Sequence, residues 1–233
     1  MGGGRRYVLS KSKYIRGLQC QRALWLDVHR PRLAHYSVAQ LQLFSYGREF
    51  ERKFKAGFEG GVDISARLGR RIGEYAELTA ELLEGGGEVV LFEAGFVFNG
   101  VLVLADVVRQ RADGALEVYE VKSGRTLSET YKRDAAVQYY VISNLRRVER
   151  FCLVFDGCGT DSGVEGERFE VVDLTGELAD EAGQVAANVA SMKEWIAGGE
   201  PWVPMGEQCL SPYACPYREY CASLLPLEAG DCW

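Results

Sequence analysis

Residues 101–122 read VLVLADVVRQRADGALEVYEVK, two apolar runs around a turn. They predict antiparallel strands over 101–110 and 115–122, closed by the three-residue loop Ala112-Asp113-Gly114 with Gly114 in the left-handed conformation. Counting outward from the loop, Ala115 pairs with Arg111 and Glu120 falls opposite Asp106. Opposed β-carbons stand roughly 4.5–5.5 Å apart, and Lys122, two residues on, shares the face of Glu120. Two facing carboxylates repel each other, and a divalent cation between them removes that cost. Mg²⁺ takes oxygen ligands and keeps several waters, which suits a site with few protein donors. A lysine beside the cation can orient or help deprotonate a water, and the metal can stabilise charge on a phosphate oxygen. The pattern outlines a phosphodiester-hydrolysis site; the plain alternative is a surface hairpin carrying ordinary charged side chains.

Working outward, Asn99-Gly100 signals a tight turn, so 88–98 supplies a third strand. A helix is predicted over 128–146 with Ser128 at its start, then a strand at 150–155, a glycine-rich loop at 156–166 and a strand at 167–174. A long helix follows over 175–198, capped by Thr175. Upstream, 72–83 is helical and stopped by Gly85-Gly86-Gly87, and 59–71 has room for a short strand. A helix over 37–58 is capped by Ser37, and one continuous helix spans 9–26 behind Ser10 or Ser12. This order predicts an α/β protein, a mixed central sheet with helices on its faces. Residues 200–233, rich in proline, cysteine and aromatic residues, are expected to be irregular.

The 233 residues, 47% hydrophobic and 26% charged, belong to an ordinary globular protein. No apolar run reaches the roughly 18 residues that span a bilayer. The opening Met1-Gly2-Gly3-Gly4-Arg5-Arg6 lacks the apolar stretch of a signal peptide, so a cytoplasmic location is expected. The net charge of −6 argues against a nucleic-acid partner, but its distribution argues for one. Residues 1–35 hold Arg5, Arg6, Lys11, Lys13, Arg16, Arg22, Arg30 and Arg32 against the single acid Asp27. Lys11, Lys13 and Arg16 are therefore candidate phosphate contacts, with a solvated helix face as the alternative.

Seven cysteines, an odd number in a chain of this class, argue against a disulfide framework. Cys209, Cys215 and Cys221 recur with five residues between neighbours. A short irregular segment has little apolar area to hold it, and a metal centre would pin it. A fourth ligand is needed, and Cys20 and Cys232 are the candidates; Cys20 would clasp the two chain ends together. The spacing matches no short C-x2-C zinc pattern, which favours an iron–sulfur cluster over zinc. Cys152, among apolar neighbours in a strand, is expected in the core, and Cys158 in a loop without a role. His29 and His35 are expected to pack or to face solvent.

Taken together, these residues resemble the PD-(D/E)XK nuclease superfamily, specifically RecB-like nucleases with an iron–sulfur cluster, such as the CRISPR-associated exonucleases and related stand-alone domains. The likeness rests on ADVV at 105–108 followed by YEVKSG at 119–124, on DAAVQYY at 134–140, on LSKSKYIRGLQCQRALWL at 9–26, and on one N-terminal and three C-terminal cysteines. The resemblance implies a restriction-endonuclease-like fold. Its parts would be a basic N-terminal segment (1–36), a nuclease core (37–199) and a cluster segment (200–233), with both chain ends forming the cluster subdomain. It implies a Mg²⁺- or Mn²⁺-dependent deoxyribonuclease with Asp106, Glu120 and the Val121 carbonyl on the metal and Lys122 at the water. Gln138, with Tyr139 or Tyr140, would contact the DNA backbone or brace the site. GREFERKF at 47–54 looks like the family's first motif and makes Glu51 a candidate ligand where many relatives have histidine. Cys20, Cys209, Cys215 and Cys221 would hold the cluster, of the four-iron rather than the two-iron type. Single-stranded DNA or DNA ends would be the substrate, in DNA repair or, with CRISPR integration proteins, in trimming spacer precursors. Two rivals remain: a DNA-binding or adaptor module whose site is unused, and a zinc-stabilised domain.

Overall fold

A computed structural model describes residues 7–37, 48–157 and 169–224. The N-terminal part holds β1 (Leu9–Ser10), α1 (Lys11–Gln19), α2 (Gln21–His29) and α3, helical over 48–55. The middle holds β2 (Val62–Asp63), α4 (Ile64–Leu68), α5 (Tyr75–Glu84), β3 (Val89–Phe98), β4 (Val101–Gln110) and β5 (Leu116–Lys122). Then come α6 (Glu129–Ser143), β6 (Val148–Asp156), β7 (Phe169–Asp173), α7 (Thr175–Ala197) and α8 (Arg218–Ser223).

The result is a mixed α/β structure around one seven-stranded sheet of order β2-β3-β4-β5-β6-β7, with β1 paired to β4. The central meander β3-β4-β5 is antiparallel, whereas β5 and β6 run parallel. Parallel neighbours need a crossover, and α6 provides it. The loop before β5 forms as the sequence predicts. The Arg111 N–H donates to the Ala115 carbonyl at 2.9 Å, and Gly114 has φ +80°, the half of backbone space that glycine enters freely.

Two cores lie on the two faces of the sheet. The larger joins α1, α6 and α7 to the sheet through Tyr14, Leu24, Val137, Val141, Val189, Met192, Val118 and Phe151. The smaller packs Phe50 and Phe54 of α3 on Phe92, Val107, Val121 and Val154. The N-terminal segment is thus built into the main body: β1 extends the sheet and Tyr14 lies in the larger core.

Three expectations need correction. The 9–26 helix is broken at Cys20, whose backbone is extended (φ −161°, ψ 122°) between α1 and α2. Helical periodicity continues across the break, so only tertiary contacts to the chain end decide it. Thr175 is not the cap of α7; that position is Leu174. The Thr175 hydroxyl instead accepts from the Phe151 N–H at 2.8 Å and donates to Asp173 at 2.6 Å, tying α7 to the sheet. The chain end carries the helix α8 within its irregular course. Of the expected 37–58 helix, residues 38–47 lie outside the described residues; Ser37 is non-helical, and the described remainder is helical over 48–55 and stops short of 58. Among the described residues, no helix is long and apolar enough to cross a membrane.

Candidate active site and thiol clasp

The paired register of β4 and β5 runs from Gln110↔Leu116 to Val107↔Tyr119 and stops there. The next rung would be Asp106 against Glu120, in the register that the sequence predicts. Instead, the Asp106 side chain fills the fork, and its carboxylate accepts the Val121 N–H at 2.7 Å. On the other side of β4, Glu93 has φ +55°. A left-handed conformation costs a non-glycine residue roughly 1–2 kcal/mol, and it lifts Glu93 out of the ladder between Phe92↔Val107 and Ala94↔Ala105. The smaller core brings α3 over this point, and with it Glu51. Carboxylate oxygens of Glu51, Glu93 and Asp106 come within 4.8 Å of one another. Lys55, one turn after Glu51, donates to Glu51 and, at 2.7 Å, to Glu93.

Val118 lies in the larger core and Val121 in the smaller, so Glu120 and Lys122 turn toward the larger-core side. Glu120 is 2% exposed. Its Oε1 accepts from Lys122 Nζ at 2.5 Å and from Lys11 Nζ at 2.7 Å. Its Oε2 is buried with no hydrogen-bond partner among the described residues. Asp134, in the first half of α6, accepts from Lys122 and lies 3.5 Å from Lys11 Nζ.

The electrostatics follow from this packing. Burial, then the charge of Glu120, push the Asp106 carboxyl well above its ordinary range, against the pull of Lys11 and Lys122. Burial also raises Glu93, outweighing the Lys55 ammonium. For Glu120 burial acts upward too, but Lys11 and Lys122 overcome it and hold the group ionised. Burial acts downward on Lys122, yet Glu120, Asp134 and Asp106 win and keep it an ammonium. Lys122, held as an ammonium by these acids, can therefore orient a water or face a phosphate.

The remaining site expectations are sorted by burial. Glu51 and Asp106 meet at a common point, but the partner that completes their trio is Glu93, not Glu120. The expected Asp106–Glu120 metal pair is thus redrawn: Glu120 adjoins the trio with one oxygen taken by two lysines. Val121 contributes its N–H to Asp106. Gln138 is 0% exposed, and both ends of its amide lack a partner among the described residues, so as placed it does not reach a DNA backbone. Tyr140 is also buried, accepting from Asn99 Nδ2 at 3.0 Å and packing on Phe98. Tyr139 packs its ring on Phe151. Tyr140 is thus not presented for nucleic acid, whereas Tyr139 is half-buried. Lys11, expected on a phosphate path, is drawn into the acid cluster. Arg16 is occupied by Asp27 at 3.4 Å and by Gln19 at 3.2 Å. Lys13 lies partly exposed in the first turn of α1.

At the far end of α1 the thiols gather. Cys20, Cys209, Cys215 and Cys221 line one small cavity with Arg22 and Tyr217, and all four are free. Among the described residues, no three of these sulfurs come within the 4.8 Å spacing that the carboxylate trio meets. Burial raises the Cys215 and Cys221 thiols, and the neighbouring Cys20 and Cys209 add to it. Ala23, Leu26 and Tyr217 form a small core beneath them. Polar ties fasten the chain ends: Gln19 Nε2 to the Gln208 and Tyr213 carbonyls at 2.7 Å, Arg22 to Glu200 at 2.6 Å, and the Tyr217 hydroxyl to Asp27 at 2.5 Å. Cys152 is buried in β6, as expected, with its thiol pushed up to about 11 by burial. Cys158 and Cys232 lie outside the described residues. His29 stacks on Trp25, and exposed His35 lies 3.7 Å from Glu219, so neither is a metal candidate.

Sequence reasoning missed Glu93, Asp134 and the buried role of Lys11. Glu93 sits in a hydrophobic strand where alternation offers no sign of a left-handed residue. Asp134 was in view within DAAVQYY, but only its burial beside Lys122 gives it a function.

No protein-family model and no curated protein matches the chain. Among solved structures, the crystal structure of SSO0001 aligns over 82% of this chain and 79% of its own, at 12% identity and a TM-score of 0.39. A protein from Eubacterium rectale, provisionally named an exonuclease, aligns over 97% of this chain and 91% of its own, at 13% identity and a TM-score of 0.49. Both are likenesses of chain path and carry nothing about the side chains above.

Proposed function

We propose that this chain is a divalent-metal-dependent nuclease that hydrolyses phosphodiester bonds in DNA, and that its thiol clasp holds an iron–sulfur cluster of structural role. The observation that carries the reading is the meeting of Glu51, Glu93 and Asp106 within 4.8 Å beside a buried Glu120–Lys122 pair. The donor set is all oxygen, which suits Mg²⁺ or Mn²⁺. Five carboxylates (Glu51, Glu93, Asp106, Glu120 and Asp134) face the three ammonium groups of Lys11, Lys55 and Lys122. With all five ionised, as a bound cation would favour, the cluster would carry two negative charges in excess, the charge of one divalent cation. The Oε2 of Glu120, without a hydrogen-bond partner among the described residues, is a further candidate donor.

Bound there, the cation would polarise the phosphate and acidify a water. Glu51, Glu93 and Asp106 fix its place, with the Val121 N–H holding the Asp106 carboxylate in orientation. Lys122 stays charged, positions the water and stabilises negative charge as it grows on the phosphate. In the clasp, a single zinc with bonds of about 2.3 Å would draw four thiolates to about 3.8 Å from one another. The family resemblance adds the four-iron type, single-stranded DNA or DNA ends as substrate, and CRISPR integration proteins as partners.

Cleavage of end-labelled single- and double-stranded DNA with Mn²⁺ tests the chemistry. Asp106→Ala and Lys122→Ala should each abolish it, and undiminished cleavage by either would refute the roles given. One observation favours a second reading: Lys55 already bridges Glu51 and Glu93, as a site closed on itself would. DNA binding without cleavage across several divalent metals would select that reading, an adaptor with an unused site. Metal analysis of anaerobically purified protein decides the clasp, where zinc without iron would end the cluster proposal.

A further inference from the structure

We infer that Lys11 is a positioning residue of this site, setting the Glu120 carboxylate from the head of a helix whose far end is gripped by the thiol clasp. The inference rests on the hydrolytic reading above and extends it to a residue and a linkage outside the acid and lysine motifs.

Lys11 is the first residue of α1. The N-terminal end of a helix repels cations, and nothing in the helix itself favours a lysine there. No acid lies in that first turn. The backbone nevertheless fixes Lys11 closely. β1 pairs Leu9 with Val101 and Ser10 with Leu102, and the Ser10 hydroxyl caps the helix at the Lys13 N–H. From this anchored point Nζ reaches Glu120 Oε1 at 2.7 Å, the oxygen that Lys122 takes at 2.5 Å. Two ammonium groups from different elements therefore pin one oxygen. The other, Oε2, is buried and has no hydrogen-bond partner among the described residues, so the carboxylate keeps one oxygen to offer, in one direction.

The opposite end of α1 is held by the chain end. Gln19 Nε2 donates to the carbonyls of Gln208 and Tyr213, both at 2.7 Å, and Cys20 follows as a wall of the thiol cavity. Nine residues of helix span about 13 Å and behave as a rigid strut. The clasp thereby sets the axial place of α1, and α1 sets Lys11 against Glu120.

Isothermal titration with Mn²⁺ and steady-state cleavage of a single-stranded oligonucleotide test this on the intact chain. Removing a cation beside a metal site should, on charge alone, tighten Mn²⁺ binding. A positioning role predicts the opposite: Lys11→Ala weakens Mn²⁺ binding about tenfold and lowers kcat about tenfold with KM within about twofold. Lys11→Arg restores most of both. Gln19→Ala, which cuts the strut from the chain end and touches no thiol or acid, lowers kcat about threefold in the same direction with an unchanged circular dichroism spectrum. Unchanged or tighter Mn²⁺ binding in Lys11→Ala, or a rise in KM alone, would overturn the inference while leaving the hydrolytic reading intact. A wild-type protein that neither binds Mn²⁺ nor cleaves would overturn that reading, and the role of Lys11 with it.

Discussion

The two ends of α1 stand in polar centres that are held in opposite ways. At Lys11, the acids and lysines project from long strands and helices that two hydrophobic cores already fix. Their charges are offset in part by one another, and a buried, strained arrangement persists because the surrounding packing over-determines it. At Cys20, the thiols hang on short helices and loops over a small core that, among the described residues, has Ala23, Leu26 and Tyr217 as its buried members. Such a segment has little apolar area to offset the entropy of ordering it, so a bound centre would be part of its fold rather than an occupant. On the proposed reading, the acid site is a scaffold that can wait for its ligand, and the clasp would depend on one.

The contrast can be broken in four places. The largest effect belongs to the acid site: Asp106→Asn should cost about 10²–10³ in cleavage rate, the range for removing one group from a preorganised centre. Single-turnover kinetics would show it, and the far-UV spectrum should not change. The clasp should respond in the reverse manner. Cys221→Ser is expected to lose iron and to lower Tm by about 5 °C or more, and equal melting of variant and wild type would remove the distinction between the two centres. Glu93→Gln sharpens the comparison within the acid site. It should weaken Mn²⁺ binding about tenfold, about 1.4 kcal/mol, without lowering the Tm of the metal-free protein.

The smallest effect is a pH dependence. Because the Asp106 carboxyl is raised in the folded protein, the folded state binds that proton more tightly than the unfolded chain. Stability contributed by this group therefore falls as pH rises above the ordinary carboxylate range. Asp106→Asn removes the penalty. The metal-free variant should melt about 2–4 °C above wild type at neutral pH, and the gap should close as pH falls to about 4. A gap that is constant with pH would mean that Asp106 is not under electrostatic strain.

Much of this was legible before any coordinates. The turn at Ala112–Gly114, the β4–β5 register, the Ser128 cap and the even spacing of Cys209, Cys215 and Cys221 all follow from local pattern, whereas the arrival of Cys20 beside them is a tertiary contact. What was not legible has a common cause. Glu93 adopts a left-handed backbone that its strand sequence does not encode. The resemblance left Gln138 either on the DNA backbone or bracing the site, and only its burial, 0% exposed, separates the two. The break at Cys20 falls inside an unbroken helical pattern.

Short-range chemistry in the chain, meaning turn residues, caps and apolar alternation, determined the strands, the meander and the types of side chain available for a metal and a cluster. The folded structure alone decided which of those side chains meet. The fork that admits Asp106, the left-handed turn at Glu93 and the arrival of Lys11 at Glu120 are contacts between residues distant in sequence. Their energies are set by burial and by charges that no local window contains.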